Sequence, residues 1–292
     1  MAYVSILIPA YNEERTLPLV INDIKKVMNR TKYDYNIIVL NDGSKDRTEI
    51  VAKQKGAIVY SNSKNLGLAE TFKNEMKFGL KHGAKILVHT DADGQYPAEY
   101  IPFMIKKIES GYDIILGSRF EKGHYSGSIM KKLGNIAFAK VFSSLLKIKL
   151  TDTTTGFRAF TREVAELPLI NNFTYTQEQL IRAGKANLKI GEIAIKTRKT
   201  RPSKLFNGPL DYAIKAWINI LRIYRDFEPL QFFGRIGLFL SGIGFLIGLF
   251  FVYLHLTSGI QGHIGLLFLM LILLSTGLQI ILFGFLADMN KK

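Results

Sequence analysis

The 292-residue sequence predicts an α/β fold, a Rossmann-like, doubly wound and mostly parallel sheet. Short apolar runs alternate with helical patterns along the first two thirds of the chain, as βαβ units require. Runs such as 37–40 and 114–116 are continuously apolar, which is typical of strands covered on both faces. Longer apolar stretches follow Pro229, so a second, membrane-spanning part is predicted.

Six strands are predicted, at residues 3–9, 35–40, 57–61, 85–90, 113–118 and 188–197. Helical patterns lie between them, further helices are predicted over 133–148 and 176–183, and 152–158 is predicted as a loop rich in Thr and Gly. Ligands of such sheets bind beyond the carboxyl ends of the strands. The polar loops after the first, second, fourth and fifth strands are therefore expected to form the site.

Residues 212–227 carry apolar side chains at helical spacing on one face and basic side chains elsewhere. This pattern indicates a helix that lies in the membrane interface, and the alternative is a domain helix that packs the same stripe inward. We predict three parts: a cytosolic α/β domain over 1–208, an interfacial amphipathic helix over 209–230, and a transmembrane hairpin over 231–292.

Two stretches, at about 236–256 and 264–286, contain no Lys, Arg, Asp or Glu. Each is long enough to cross a hydrocarbon core of about 30 Å, so two transmembrane helices are predicted. A very hydrophobic soluble hairpin is the alternative. The connector 257–263 has no Lys or Arg, whereas Arg235 precedes the first span and Lys291 and Lys292 follow the second. The positive-inside rule then predicts both termini in the cytosol.

The formal net charge of +15 indicates an anionic partner, although a solubilising lysine surface is the alternative. No recognisable nucleic-acid-binding module accompanies this charge, so a phosphorylated ligand or an acidic membrane is preferred and no nucleic acid is expected. Cysteine is absent, which excludes disulfides and cysteine nucleophiles. The five histidines show no metal-ligand spacing, and His89 is predicted as a strand residue. The first apolar run, 4–10, is too short for a cleavable signal.

Two aspartates, Asp91 and Asp93, follow the fourth predicted strand two positions apart. Carboxylates at this spacing are able to share a divalent cation, Mg²⁺ or Mn²⁺, that bridges a diphosphate. The alternative is that they only shape a turn. Asp42 ends the second strand, where a carboxylate accepts hydrogen bonds from a base or ribose. Asp46, with Glu49 at capping-box spacing, is predicted to cap a helix.

Several motifs together resemble the family 2 glycosyltransferases over essentially the whole chain. They are Pro9-Ala10-Tyr11-Asn12-Glu13, Asn41-Asp42-Gly43-Ser44, Asp91-Ala92-Asp93-Gly94-Gln95-Tyr96-Pro97, Gly117-Ser118-Arg119, Thr155-Gly156-Phe157-Arg158 and Arg201-Pro202-Ser203-Lys204. The chain is most similar to the dolichol-phosphate mannose or glucose synthases and their bacterial undecaprenyl-phosphate relatives. Residues 224–230 and the two apolar stretches resemble archaeal members. This resemblance implies a GT-A fold.

The resemblance implies inverting transfer of a hexose from a nucleotide-sugar, a UDP-sugar or GDP-mannose, to dolichyl or another polyprenyl phosphate. Of these two donors, a UDP-sugar is expected. The product would be a lipid-linked sugar donor for glycosylation. Alternatives are a glycosyltransferase acting on a lipid-linked saccharide and a non-catalytic membrane scaffold that retains a nucleotide pocket. A scaffold predicts broken metal ligands, yet Asp91, Asp93 and Gln95 are intact.

The resemblance also assigns roles to individual residues. The nucleotide set is Pro9, Tyr11, Asn12, Glu13, Asp42, Gly43, Ser44, Asp91 and Ala92, and the metal set is Asp91, Asp93 and Gln95. Catalysis is assigned to Asp93 together with the candidates for the acceptor phosphate, Arg119, Lys132, Arg201 and Lys204. An acceptor phosphate is already ionised near neutral pH, so cations that hold two anions together are needed more than a strong general base.

Three further positions are noted within these motifs. Arg158 is either a site residue or a structural residue that pins the loop 155–157. Asn41 stands where the family usually has Asp, which is expected to alter nucleotide affinity without abolishing binding. Glu178 matches a family glutamate with no role that the sequence reveals.

Overall fold

In a computed structural model, the chain is described over residues 3–120, 129–170, 175–198, 217–218, 221–257 and 263–290, without the side chains of 129–133. The chain divides into two compact units, Met1–Ala213 and Ile214–Lys292.

The first unit is built on one seven-stranded sheet. Its strands are β1 Val4–Ala10, β2 Tyr35–Asn41, β3 Ile58–Ser61, β4 Ile86–His89, β5 Ile114–Ser118, β6 Arg158–Thr161 and β7 Ile190–Ala194, in the order β3-β2-β1-β4-β6-β5-β7. Only β6 runs antiparallel to its neighbours within this sheet. The predicted mostly parallel α/β sheet is thus confirmed, and every predicted strand end lies within three residues of the observed one.

Helices cover both faces of the sheet. They are α1 Leu17–Met28, α2 Thr48–Gln54, α3 Leu68–Lys81, α4 Ile101–Glu109, α5 Ile129–Leu146, α6 Arg162–Ala165 and α7 Tyr175–Lys185, with a 3₁₀ turn at Ala98–Tyr100. In α1 the buried side chains recur at helical spacing, from Leu17 through Ile21 and Ile24 to Met28. All seven residues of β1 are buried, as a central strand between two helical layers requires.

The strand β6 was not predicted, because 152–158 reads as a loop rich in Thr and Gly. Its four residues start with a fully buried arginine, which is an unusual strand residue. Pairing fixes it nonetheless: Arg158 lies opposite His89 of β4 and Leu116 of β5. Tertiary pairing has here overridden local propensity.

The predicted capping box was wrong. Asp46 does accept a hydrogen bond from the Thr48 backbone N–H at 2.9 Å, at the start of α2. Glu49, however, turns towards Lys53 and Ser61, with O–N and O–O distances of 2.5 and 2.8 Å. Glu49 therefore lies in the first turn of α2 but links it to Lys53 and to β3 instead of closing a capping box.

The second unit contains two apolar helices, α8 Pro229–Thr257 and α9 Ile264–Met289, each long enough to cross a membrane. Both predicted apolar stretches lie inside them. Small residues let the helices approach closely: a Cβ on Gly237 would lie 2.5 Å from the Gly277 carbonyl oxygen. Of the predicted interfacial helix, residues 217–218 and 221–227 are described and are helical, whereas 209–216 and 219–220 lie outside the described residues.

Candidate active site

The loops that follow β1 and β2 are tied together by their own polar groups. The backbone N–H of Asn12 donates to the Ser44 hydroxyl at 2.9 Å, and the Asn12 side-chain oxygen accepts from the Lys45 N–H at 2.8 Å. Asn12 adopts a left-handed conformation with φ 55°, which asparagine tolerates better than most residues. Tyr11 beside it is 42% exposed, so its ring is accessible to a ligand.

Asp42 is buried and organises a third loop. Its carboxylate accepts hydrogen bonds from the Asn62 side chain at 2.8 Å and from the Leu66 and Gly67 N–H groups at 2.9 Å. Gly43 packs against the same loop with φ 68°, and a Cβ at this position would lie 2.5 Å from the Lys64 carbonyl carbon. The carboxylate predicted to contact the nucleotide therefore also fixes the loop 62–67 beside the expected nucleotide site.

Asn41, the departure from the family pattern, uses both ends of its amide. Its oxygen accepts from the Ser44 N–H at 3.1 Å, and its nitrogen donates to the Ser61 hydroxyl at 3.0 Å. A carboxylate at this position has no donor for Ser61. The asparagine thus joins the loop after β2 to the end of β3.

The three candidate metal ligands, Asp91, Asp93 and Gln95, lie on the loop after β4. Asp93 accepts a hydrogen bond from the Gln95 N–H at 2.9 Å, and Gly94 between them has φ 76°. Asp93 also lines a cavity of about 380 Å³ between α1 and this loop. Among the described residues, no group of three or more Asp, Glu, His or Cys side chains converges. The donors are therefore two carboxylates and an amide oxygen.

This donor set fits a magnesium or manganese ion. Both ions prefer oxygen ligands, and Mg²⁺ is commonly held by one or two carboxylates with the remaining positions left to water and substrate phosphates. Burial raises the pKa of Asp91, and the neighbouring charge of Asp93 raises it further, whereas His89 and two arginines act in the opposite direction. A cation between the two carboxylates would relieve this repulsion.

Asp91 lies against the loop that precedes β6. A Cβ on Gly156 would lie 3.2 Å from Oδ1 of Asp91, so only glycine leaves this side of the carboxylate open. The ring of Tyr96 stacks on Phe157 with centroids 5.2 Å apart. Burial raises the pKa of Tyr96 to about 12, so the phenol stays neutral. These contacts fix the loop after β4 against the loop before β6.

Arg119, a candidate for the acceptor phosphate, forms a two-pronged ion pair with Asp152. Nε and Nη2 lie 2.7 and 3.0 Å from the two Asp152 oxygens, and Nη2 also donates to the Thr154 hydroxyl at 2.9 Å. Asp152 is fully buried, and its N–H donates to Glu192 of β7 at 2.9 Å. Arg119 is thus first a structural residue that fixes the loop 151–155.

Arg158 has the structural role that was one of the two expectations. Its guanidinium is fully buried and donates to the carbonyls of Thr155 at 2.5 Å and Thr176 at 2.9 Å. Burial lowers its pKa to about 10. Glu178 is structural as well: its carboxylate accepts from the Ile170 N–H at 3.1 Å and from Arg182 at 2.8 Å.

The remaining acceptor candidates cannot be placed in detail. Lys132 belongs to α5, but its side chain is outside the described part of the chain, and Arg201 and Lys204 lie outside it altogether. Arg201 and Lys204 belong to the basic segment 196–204, of which residues 196–198 are described. The Arg198 N–H donates to the Gln95 carbonyl at 2.9 Å, and its guanidinium pairs with Asp23 at 2.7 Å. The segment that follows β7 therefore lies directly beside the loop 91–95, which carries the candidate metal ligands and is called the metal loop below.

Sequence reasoning missed three residues around this site, Glu75, Asp152 and Glu192, and it did not predict the contacts of His89. One signal was available: Glu75 occupies the otherwise apolar, buried stripe of α3 that includes Phe72 and Met76. A carboxylate in such a stripe needs a buried partner.

The mostly parallel sheet carries the carboxylates Asp91 and Asp93 and several polar loops at its carboxyl edge, where proteins of this fold class bind their ligands. The model for Glycosyl transferase family 2 matches residues 5–167, more than half of the chain. The chain belongs to this family, and the resemblance found in its motifs is confirmed.

Relatives support this assignment, and a solved structure shares the fold. The dolichyl-phosphate hexose transferase of Haloferax volcanii is 32% identical over 67% of this chain and 82% of that protein. The UDP-N-acetylglucosamine–dolichyl-phosphate N-acetylglucosaminyltransferase of Methanococcus voltae is 30% identical over 75% and 94%, respectively. The fold resembles glucosyl-3-phosphoglycerate synthase of Mycobacterium tuberculosis, solved with Mn²⁺ and UDP, at a TM-score of 0.57 and 22% identity over 75% of this chain and 80% of that one.

Proposed function

We propose that this family 2 glycosyltransferase moves a hexose from a nucleotide-sugar to a polyprenyl phosphate at the membrane. The observation that carries the proposal is that the start of the basic segment lies against the loop that carries Asp91 and Asp93: the Arg198 N–H donates to the Gln95 carbonyl of that loop. This arrangement suits two anions, a diphosphate and an acceptor phosphate. The names of the relatives from Haloferax and Methanococcus, and the apolar helices α8 and α9, support a lipid acceptor.

In this reaction an oxygen of the acceptor phosphate attacks the anomeric carbon, and the bond from that carbon to the nucleotide diphosphate breaks with inversion. Asp91, Asp93 and Gln95 would hold Mg²⁺ or Mn²⁺, which as a Lewis acid would stabilise the departing diphosphate. Tyr11, Asp42 and the loops that they organise would orient the nucleotide. Basic side chains would bring the acceptor close to the donor, and no strong base is required.

The acceptor and sugar are testable with the intact protein. Detergent-purified enzyme is incubated with radiolabelled UDP- and GDP-sugars and with dolichyl phosphate, undecaprenyl phosphate or a lipid-linked saccharide as acceptor, in the presence of Mg²⁺, Mn²⁺ or EDTA. We expect one label to enter the lipid phase in the presence of metal, with a UDP-sugar as donor. Label that enters only a lipid-linked saccharide would favour the alternative acceptor. No transfer to any acceptor would contradict the proposal.

The basic segment supplies a second prediction. Arg201→Ala and Lys204→Ala should each lower transfer at least about tenfold, because one charge-assisted contact contributes about 1.5–3 kcal/mol. The effect should fall on acceptor KM or kcat, with nucleotide binding unchanged. Lys189→Ala is the matched control, because this exposed lysine precedes β7, at the opposite end of the strand. If the segment serves only general attraction to anionic lipids, both variants should retain wild-type rates.

A third prediction concerns topology. Both termini should face the cytosol, because Lys and Arg flank the outer ends of the two apolar helices and are missing from the connector 257–263. A tag after Lys292 should be cleaved by protease in inverted vesicles and protected in intact cells. Cleavage from outside intact cells would reverse the proposed orientation.

A further inference from the structure

A buried carboxylate and a buried histidine lie directly behind the metal loop. Glu75 of α3 is fully buried among apolar residues, and His89, the last residue of β4, is 1% exposed. Placing two ionisable groups in the core is unfavourable unless they are paired and hydrogen-bonded. The sugar-transfer chemistry described above uses neither residue.

The two side chains form a chain of contacts that leads from the core to Asp91. Nδ1 of His89 lies 2.5 Å from Oε2 of Glu75, and Nε2, on the other side of the ring, lies 3.8 Å from Oδ1 of Asp91. Phe72 packs edge-on against the imidazole, with centroids 5.0 Å apart. Glu75 and Phe72 therefore fix the ring with one nitrogen facing Asp91.

The polar groups around this chain are only partly hydrogen-bonded: among the residues that the structure describes, Nε of Arg158 and Oε1 of Glu75 are buried without a hydrogen-bond partner. Arg158, the β6 residue opposite His89, donates to Thr155, Thr176 and Gln179. Within the described part of the protein, the Asp91 carboxylate accepts no hydrogen bond, and His89 is its one ion-pair partner within 4.0 Å. Asp93, by contrast, is held by the Gln95 N–H.

We propose that Glu75 and His89 are positioning residues: Glu75 orients the His89 ring, and the ring holds the Asp91 carboxylate in place for the divalent cation. This inference rests on the metal role in the proposed function. Partners behind a metal ligand commonly set its orientation, and their loss typically weakens metal binding or activity by about 10–100-fold.

The test uses two substitutions of the same residue with different reach. In His89→Asn the amide occupies the position of Nδ1 and keeps the contact with Glu75, whereas in His89→Gln it reaches the position of Nε2, next to Asp91. Mn²⁺ affinity of the full-length protein in detergent is measured by electron paramagnetic resonance, with and without UDP. We expect His89→Asn to weaken Mn²⁺ binding about 10–100-fold and His89→Gln to stay near the wild type.

A double variant, Glu75→Met with His89→Leu, controls for the case in which a single substitution prevents folding. Replacing both partners of a buried polar pair by apolar groups of similar shape is often nearly neutral for stability. We expect a Tm close to that of the wild type but Mn²⁺ affinity as weak as in His89→Asn. His82→Asn is the matched control: this histidine bonds the Tyr60 hydroxyl at 2.9 Å, at the other end of α3, and should not alter Mn²⁺ binding.

The outcomes separate this inference from the proposed function. Wild-type Mn²⁺ affinity in the double variant, or equal affinity in the Asn and Gln variants, would overturn the positioning role, as would a wild-type protein that binds no Mn²⁺. A wild-type protein that binds Mn²⁺ but transfers no sugar to polyprenyl phosphate would instead contradict the proposed acceptor, while the variant series would still decide the role of Glu75 and His89.

Discussion

Asp93→Ala is expected to abolish sugar transfer while the protein stays folded. The side chain is partly exposed, lines the cavity beside α1 and accepts a single hydrogen bond within its own loop, from Gln95. Its loss removes one of two carboxylates that would share the cation, which we expect to cost several kcal/mol of transition-state stabilisation. Transfer should therefore fall at least about 1,000-fold.

The controls for this prediction separate charge from chemistry. Glu99→Ala removes an exposed carboxylate six residues further along the same segment and should leave the rate unchanged. Asp93→Asn keeps the shape and the hydrogen-bond acceptor but removes the charge, and it should resemble Asp93→Ala. EDTA should stop the wild-type enzyme, with recovery on addition of Mg²⁺ or Mn²⁺. Full activity in EDTA would remove the metal from the mechanism.

Most of the sheet could be predicted because its strands carry strong local signals. Continuous apolar runs such as Ile37–Leu40, rich in β-branched residues and bounded by polar loops, are typical of strands covered on both faces. The exception, β6, has four residues, and its position depends on pairing with β4 and β5. The missed strand does not change the predicted position of the polar loops. The insertion of antiparallel β6 still leaves the carboxyl ends of the parallel strands on the same edge of the sheet.

Individual contacts in the site were less predictable than its location. The sequence placed Asp42 and Arg119 at the sheet edge, where the structure has them, but it assigned them only to ligands. In the fold Asp42 binds the loop 62–67 and Arg119 binds Asp152. Such partners come from distant parts of the chain. A motif alone therefore indicates which residues lie near a ligand, but it does not show which hydrogen bonds and ion pairs those residues form within the protein.

Arg119→Ala should destabilise the protein as well as lower its activity. Asp152 is fully buried, and the substitution removes a two-pronged ion pair whose arginine side chain is only 17% exposed. Breaking a buried ion pair by removing one partner typically costs about 3–5 kcal/mol, because the other charge stays buried without compensation. For a domain of this size we expect the apparent Tm to fall by about 6 °C or more.

A double-mutant cycle on Arg119 and Asp152 tests whether Arg119 stabilises the fold or only contacts the acceptor. In the double variant with Asp152→Ala the stability loss should be smaller than the sum of the two single losses, because no unpaired carboxylate remains. Arg162→Ala is the matched control: its ion pair with Glu166 is exposed at both ends, so its removal should change stability by less than about 1 kcal/mol. An Arg119→Ala variant with the wild-type Tm and lowered transfer would instead make this arginine mainly a ligand of the acceptor phosphate.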